Sequence, residues 1–365
     1  MKARCPIMKL SLCMIVKDEE EVLSRCLSSV KGLFDEIVIA DTGSSDGTCG
    51  IARSFGAELY HFPWNDDFSA ARNFSFSKAT GDYLFWLDAD DVLPPPSRGK
   101  FPALRTLLER EQPDTVFLPY DTAPDENGTP RMTFRRERVL KRSPLARWVG
   151  RVHECIVPFG RQCSFDLSVL HLSSGKERKD RNLRIYRKWA GEEALSARDL
   201  FYYGRELYYH RLYPEAIVRL REAISADGWY VNKIEACKVL ALSHEAEGRP
   251  KEAVLALLES FLYGEPRASV CCDIARLLGA QRQLGEAVFW YEAALACRDH
   301  TAEGDFETPD SRSLTPLLGL VCCCDALGDR ERALAFHRRT EELFSDHPAV
   351  RHNRAYFAGL EKENK

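Results

Sequence analysis

Short apolar runs alternate with polar stretches of helical periodicity from the beginning of the chain to about residue 175. Apolar runs that end at a polar turn are typical of buried parallel strands, and the stretches between them are typical of helices. Strands that alternate with helices form an open α/β sheet whose ligands bind at the carboxyl ends of the strands. Strands are predicted at residues 10–16, 36–40, 58–62 and 83–87, and helices at residues 20–30, 48–55 and 69–79.

The pattern changes near Asn182 to long helices without strand-like runs. Four segments share a turn, an acidic residue and an alanine at the start of a helix, and the alanines are spaced 37, 34 and 46 residues apart. This spacing is close to the 34-residue period of tetratricopeptide repeats, with an insertion before the last segment. It favours a helical repeat array, and an irregular helical bundle is the alternative. The alanines are Ala216, Ala253, Ala287 and Ala333.

The composition is that of a globular protein, with 45% hydrophobic and 29% charged residues in 365. A net charge of −4 argues against a nucleic-acid partner. The run Leu10–Val16 is far shorter than the roughly 20 residues of a membrane-spanning helix, so we expect a cytoplasmic protein without a membrane span.

The 13 cysteines lack paired CxxC spacing, which favours buried, reduced thiols. Metal binding or reactivity at Cys322–Cys324 is the alternative.

Three carboxylates follow a predicted buried strand in the segment GDYLFWLDADD, at Asp88, Asp90 and Asp91. Neighbouring carboxylates raise each other's pKa unless a cation compensates their charge. Two oxygen donors at Asp-x-Asp spacing suit Mg²⁺ or Mn²⁺, and these ions commonly accompany a diphosphate. Polar residues also follow the first two predicted strands, at 17–20 and at Asp41. Three strands therefore place polar groups at the same edge of the predicted sheet.

The polar strand ends lie in segments that resemble a known enzyme family. Residues 9–175 resemble the family 2 glycosyltransferases of GT-A fold, in the segments SLCMIVKDEEEVLSRCLSSV, DEIVIADTGSSDGT, WNDDFSAARNFSFSKATGDYLFWLDADD and WVGRVHECI. The whole chain is similar to a subgroup with C-terminal tetratricopeptide-like helices, which includes bacterial peptide S-glycosyltransferases acting on cysteine. The resemblance implies a GT-A (Rossmann-like α/β) nucleotide-sugar domain at residues 1–180 and an all-α tetratricopeptide-like domain at residues 181–365.

The resemblance also implies roles for individual residues. Asp90 is expected to ligate the metal and the diphosphate, and His171 to complete the metal site. An inverting transfer needs a base that takes the proton of the acceptor, and Glu154 is the candidate. His153 beside it could bind the diphosphate, tune the base or act as the base itself. The residues expected to contact the nucleotide sugar are Val16, Lys17, Glu19, Asp41, Arg72, Asp88, Ala89 and Asp90.

Each of these residues also has an ordinary structural explanation. Asp41 could cap a helix, Arg72 could form a structural ion pair, and Asp91 could be a solvated acid in a turn. His171 could be a satisfied histidine at a strand end. His153 and Glu154 could be a core histidine beside a surface glutamate.

Together these observations predict a metal-dependent inverting glycosyltransferase that moves a hexose from a UDP-sugar to an acceptor, with Mg²⁺ or Mn²⁺ as cofactor. The expected acceptor is a Cys or Ser side chain of a peptide, because repeat arrays form extended surfaces that suit a peptide. The helical domain could instead join two chains into a homodimer. The alternatives are a cell-envelope saccharide glycosyltransferase and a non-catalytic repeat scaffold with a degenerate transferase domain.

Overall fold

The computed structural model describes residues 8–124, 130–172, 180–300 and 309–363. The chain divides into two compact units, a mixed α/β unit at residues 1–193 and an all-α unit at residues 194–365. This arrangement confirms the predicted fold class. The boundary predicted after residue 180 would assign the helix at residues 181–192 to the second unit, whereas the structure places it in the first.

Eleven strands and five helices make up the described part of the first unit. The strands are β1 (Leu10–Val16), β2 (Glu36–Asp41), β3 (Glu58–His61), β4 (Tyr83–Trp86), β5 (Asp91–Val92), β6 (Thr115–Pro124), β7 (Pro130–Lys141), β8 (Trp148–Val149), β9 (Cys155–Ile156), β10 (Gln162–Ser164) and β11 (Val169–His171). The helices are α1 (Leu23–Ser29), α2 (Thr48–Ser54), α3 (Phe68–Lys78), α4 (Pro95–Glu111) and α5 (Arg181–Glu192).

A mixed sheet forms the centre of this unit, with the strand order β3-β2-β1-β4-β7-β6-β11-β5. The strands from β3 to β4 are parallel, which confirms the βαβ pattern predicted from the sequence. The other half contains antiparallel pairs, β4 with β7, β7 with β6, and β11 with β5. β10 also pairs with β6, and β8 pairs with β9 outside the main sheet.

Successive side chains of a strand point to opposite faces of the sheet, and in β1 and β4 the side chains on both faces are buried. Leu12 and Met14 of β1 lie in one apolar cluster with residues of α1 and α4. Cys13 lies in a second cluster that contains Phe76 of α3 and Trp86 of β4. The continuous apolar runs read from the sequence therefore correspond to strands covered on two sides.

The second unit consists of helices that pack in consecutive pairs. The four alanines that define the predicted repeat lie in the second helix of each pair and are fully buried, which confirms the helical repeats. At Gly204, in the first pair, an added Cβ would lie 2.6 Å from the side chain of Leu220, so these two helices approach closely only with glycine there. The helices are α6 (Ala197–Tyr209), α7 (Tyr213–Ser225), α8 (Tyr230–Ala246), α9 (Pro250–Glu259), α10 (Ala268–Ala280), α11 (Leu284–Ala296), α12 (Leu314–Ala326), α13 (Arg330–Phe344) and α14 (Pro348–Glu363).

Most cysteines of this unit are buried free thiols, as predicted, and Cys322 is an exception. Cys237 and Cys324 are buried free thiols, and burial raises the pKa of each. Cys322, the first of the three consecutive cysteines, is exposed, and its pKa is also raised, first by desolvation and then by the charge of Asp325. A raised pKa keeps a thiol protonated and unreactive. Among the described helices, none is long and apolar enough to cross a membrane.

Candidate active site

Hydrogen bonds join the loops that follow β1 and β2. The carboxylate of Asp18 accepts from the backbone N–H of Ser45 at 2.7 Å, and that of Glu20 accepts from the backbone N–H of Gly47 at 2.7 Å. Asp18 has a φ of +54°, the left-handed conformation that a short polar side chain tolerates best after glycine. These bonds hold residues 18–20 outside a helix, so α1 begins at Leu23 and not at residue 20 as predicted.

The residues predicted to bind the nucleotide lie together at this edge of the sheet. Val16 and Asp41 are aligned partners in the parallel pairing of β1 with β2. Lys17 is exposed directly after Val16, and the backbone N–H of Glu19 donates to the hydroxyl of Thr48 at 2.7 Å.

Asp41 is buried at the end of β2, and its carboxylate accepts from the backbone N–H groups of Gly43 and Ser44 at 3.1–3.3 Å. A side chain that accepts from the backbone two residues later forms an Asx turn. The alternative of a helix cap is therefore wrong for Asp41, since α2 begins after Gly47 and its cap residue makes no side-chain bond. The turn fixes the direction of the loop that lies over the strand ends.

The three acids after β4 have very different surroundings. The side chains of Asp88 and Asp90 are 32% and 21% exposed, whereas that of Asp91 is fully buried. Ala89 between them is buried as well. A tight turn is closed by the backbone N–H of Asp91, which donates to the carbonyl of Asp88, and by the N–H of Asp88, which donates to the Asp91 carboxylate. Asp88 and Asp90 therefore remain available to a ligand.

Asp91 is the anchor of this turn. Its carboxylate forms an ion pair of 2.9 Å with Arg138, which is also fully buried, and accepts a hydrogen bond of 2.9 Å from the hydroxyl of Tyr120. Both of its oxygens are thus engaged. The alternative of a solvated turn acid is wrong for Asp91, because its charge is compensated inside the protein.

His171 and Asp91 face each other across the pairing of β11 with β5. Nδ1 of His171 lies 3.3 Å from Oδ1 of Asp91 and 3.4 Å from Oδ1 of Asp90. The hydrogen bond to Asp91 raises the pKa of His171, although burial opposes it, and the charge of Asp90 adds to the increase. Burial raises the pKa of Asp90, with repulsion from Asp88 and Asp91 acting in the same direction.

These residues fit a divalent cation. Ligand atoms of Asp90, Asp91 and His171 all lie within 4.8 Å of one another. A metal-binding histidine normally has its other ring nitrogen held by a carboxylate, which is the relation of Nδ1 of His171 to Asp91. Since the oxygens of Asp91 are engaged by other groups, the carboxylate of Asp90 and the imidazole of His171 are the better ligands.

Arg72 of α3 connects the acidic turn to the candidate base. Its Nη2 donates to Asp88 at 2.7 Å and its Nε donates to Glu154 at 2.6 Å. Its guanidinium lies 4.5 Å from the ring centroid of Trp148 and 5.4 Å from that of Trp86. Burial alone would lower the pKa of Arg72, but the two carboxylates outweigh it and raise that pKa. Burial likewise would raise the pKa of Asp88, but the positive charges of Arg72 and Arg138 keep it below its usual value.

Glu154 and His153 lie in the turn between β8 and β9. The side chain of Glu154 is only 11% exposed, so it is not the surface glutamate of the structural alternative. His153 has a φ of +51°, and its ring stacks on that of Tyr186 of α5 with centroids 6.4 Å apart. The amide of Asn73 bonds both the N–H and the carbonyl of Trp148, at 2.8 and 3.0 Å. α3 therefore positions this hairpin as well as Arg72.

Sequence reasoning missed Arg138 and Tyr120, which hold Asp91. The segment RRERVLK of β7 could have indicated this ion pair, because Arg138 directly precedes the apolar residues Val139 and Leu140. An arginine that is buried with such residues requires a buried anion as its partner. Its partner is 47 residues away in the sequence, so no local pattern identifies Asp91.

Replacing Arg138 with methionine is expected to lower the free energy of unfolding by about 3–5 kcal/mol, because it leaves Asp91 buried without a counter-charge. Urea unfolding of the full chain, followed by tryptophan fluorescence, measures this loss. Arg135→Met on the same strand is the matched control, since Arg135 is exposed, and it should change stability by less than about 0.5 kcal/mol. Equal losses in the two variants would contradict a special role for the buried pair.

The mixed sheet, the acidic turn at the edge of its parallel strands and the carboxylate held beside that turn are compatible with a glycosyltransferase domain. The model of glycosyl transferase family 2 matches residues 11–167. The chain therefore contains a family 2 glycosyltransferase domain at these residues and carries tetratricopeptide-like helical repeats after it.

Two curated relatives share both the domain and more of the chain. A TPR repeat-containing protein of Synechococcus elongatus is 33% identical over 295 residues, which are 79% of this chain and 66% of that protein. The SPbeta prophage-derived glycosyltransferase SunS of Bacillus subtilis is 28% identical over 223 residues, which are 58% of this chain and 52% of SunS. The chain thus spans between half and two thirds of the length of these relatives.

One of the solved structures that the chain matches is that of residues 1–349 of S. aureus TarS in complex with UDP-GlcNAc. The match has a TM-score of 0.40 at 13% sequence identity and covers 82% of this chain and 93% of that chain.

Proposed function

We propose that this protein is a metal-dependent inverting glycosyltransferase that moves a hexose from a UDP-sugar to an acceptor nucleophile. One observation carries the proposal: a single guanidinium, that of Arg72, contacts both Asp88 of the acidic turn and Glu154, at 2.7 and 2.6 Å. A candidate base therefore lies directly beside the candidate site for the metal and the diphosphate.

The donor would bind along the edge formed by the ends of β1, β2 and β4. Asp41 and the loop from Val16 to Glu19 would contact the uracil base or the ribose, since a carboxylate at a strand end can accept from an imide N–H or from ribose hydroxyls. Asp88 and Ala89 would lie beside the ribose and the diphosphate. The crossing hydrogen bonds between the two loops support this assignment, because they hold the loops in one arrangement before the donor binds.

Asp90 and His171 would hold Mg²⁺ or Mn²⁺. When bound, such an ion neutralises the charge that develops on the leaving diphosphate. Asp91 contributes by orienting the imidazole of His171 through Nδ1, and Arg138 pairs with Asp91 in its buried position.

Glu154 would take the proton of the acceptor as its nucleophile bonds to the anomeric carbon. On the opposite face of the sugar, the bond from that carbon to the diphosphate oxygen breaks, and the oxygen keeps the electron pair. Oε1 of Glu154 is held by Arg72, and the residues that the structure describes offer no hydrogen-bond partner to Oε2. His153, the neighbouring residue, remains the alternative base.

The acceptor is proposed to be a Cys or Ser side chain of a peptide. The helical repeats of the second unit support a peptide over a small saccharide, because stacked helix pairs present an extended surface. A cytoplasmic location and a homodimer formed through the helical unit stay predictions.

A thermal-shift screen of nucleotide sugars with and without Mn²⁺ tests the donor and the metal together. A ligand that binds only the folded state raises stability by about 2.7 kcal/mol at 100 times its Kd. UDP-sugars should stabilise the protein only when Mn²⁺ or Mg²⁺ is present, and GDP- and ADP-sugars serve as controls. Product mass after incubation with cysteine peptides, serine peptides and saccharides then identifies the acceptor. A protein that binds no UDP-sugar under these conditions would rule out the proposal.

A further inference from the structure

Arg72 spans two segments that are 66 residues apart in the sequence, the turn after β4 and the turn between β8 and β9. We infer that Arg72 is a positioning residue, which holds the carboxylate of Glu154 in the orientation that accepts the acceptor's proton. The inference rests on the proposed function, because it assigns Arg72 a task at the same site.

The surroundings of Arg72 leave its side chain little freedom. Its side chain is 11% exposed, and two tryptophan rings contact its guanidinium. The backbone of Trp148 is fixed to Asn73, the next residue of α3, by two hydrogen bonds. The hydroxyl of Ser69, one turn earlier in α3, donates to the carbonyl of Gly150. The helix that carries Arg72 and the hairpin that carries Glu154 are therefore joined at three points.

The two oxygens of Glu154 have different tasks in this arrangement. Oε1 accepts the hydrogen bond from Nε of Arg72, and Oε2 is the oxygen that faces no donor among the described residues. A base that is held by one oxygen presents the other in a defined direction, and a small error in this direction would lower the rate of proton transfer.

An arginine suits this task and a lysine does not. The guanidinium is a planar fork whose Nε and Nη2 donate to two carboxylates at once, whereas an ammonium is a point charge on a flexible stem. Lysine at position 72 would keep the positive charge but would not align Glu154 with Asp88.

This role differs from the expectation that Arg72 contacts the nucleotide sugar. Nε and Nη2 already donate to carboxylates at 2.6 and 2.7 Å, so a contact with the donor would be left to the remaining N–H groups of the guanidinium. A residue that acts through the base alters kcat, whereas a residue that binds the donor alters its KM as well.

The test compares Arg72→Gln and Arg72→Lys with the wild-type protein in sugar transfer. We expect kcat to fall about 100-fold with glutamine and at least about tenfold with lysine, while the KM of the UDP-sugar changes by less than about twofold. Arg105→Gln is the matched control, because Arg105 also joins several acceptors, Asp35 and the carbonyls of Leu33 and Met8, outside the site. Its transfer rate should be that of the wild type. Binding of UDP with Mn²⁺ verifies that each variant is folded.

A double-mutant cycle separates positioning from an independent contribution. If Arg72 acts through Glu154, the double variant Arg72→Gln/Glu154→Gln should transfer sugar no more slowly than Glu154→Gln alone. The inference would be overturned if the fold-losses in rate of the two single variants multiplied in the double variant, or if Arg72→Gln raised the KM of the UDP-sugar and left kcat unchanged. Either result would leave the proposed function in place. A wild-type protein that transfers no sugar from any UDP-sugar would overturn the proposed function, and the inference with it.

Discussion

Replacing Asp90 with alanine is expected to abolish sugar transfer and the metal-dependent binding of UDP. Asp90 is the partly exposed acid beside His171, and both oxygens of the neighbouring Asp91 are engaged by Arg138, Tyr120 and the backbone. Asp91 could therefore not replace Asp90 without breaking the buried pair, and Asp88 is paired with Arg72. Transfer assays and calorimetric titration of UDP with and without Mn²⁺ measure the two losses.

The same variant should retain its fold. Burial raises the pKa of Asp90, so the ionised side chain is less favourable in the folded protein than in the unfolded chain at neutral pH. In the absence of metal, removing this charge should leave thermal stability equal or slightly higher. Asp166→Ala is the matched control, because Asp166 is exposed and pairs only with Lys100. Full activity of Asp90→Ala would exclude a metal role for this residue.

Replacing Glu154 with glutamine is expected to lower kcat by about 10²- to 10⁴-fold, the usual contribution of a general base. Glutamine has nearly the same shape, and its carbonyl oxygen can still accept from Nε of Arg72, so the hairpin should keep its position. Binding of UDP with Mn²⁺ should therefore remain within about twofold of the wild-type affinity. Single-turnover transfer and titration of UDP measure the two quantities.

Glu193→Gln controls for the loss of a carboxylate, since Glu193 pairs with Arg151 at the surface and is 57% exposed. Its turnover should equal that of the wild type. Near-normal turnover of Glu154→Gln would exclude Glu154 as the base, and the same assay on His153→Asn would then test the alternative.

The parallel half of the sheet could be predicted because each of its strands is marked by residues that are adjacent in the sequence. Each strand from β1 to β4 is an apolar run that ends at a polar turn, and its predicted bounds differ from the structure by at most one residue. The convergence of Val16, Asp41 and Asp88 at one edge follows from parallel pairing alone. The resemblance to family 2 glycosyltransferases depended on these same segments.

The antiparallel half could not be predicted in this way. β7 contains four arginines, and a charged segment of this kind does not resemble a central strand. Arg138 is buried because Asp91 and two aromatic rings surround it, and these partners come from β4–β5 and β6. β5 has two residues, which is too short to produce a period. The role of Asp91 depends on these distant contacts.

The pairing of β11 with β5 also determines when the candidate metal site can form. His171 meets Asp91 across 80 residues of chain, and closing a loop of that length is one of the slower events in folding. During synthesis the acidic turn leaves the ribosome long before His171, so the nascent chain exposes carboxylates that still lack their histidine. Cation capture by Asp90 and His171 would then be a late step of folding, and a divalent ion would favour the state in which β11 has closed the sheet.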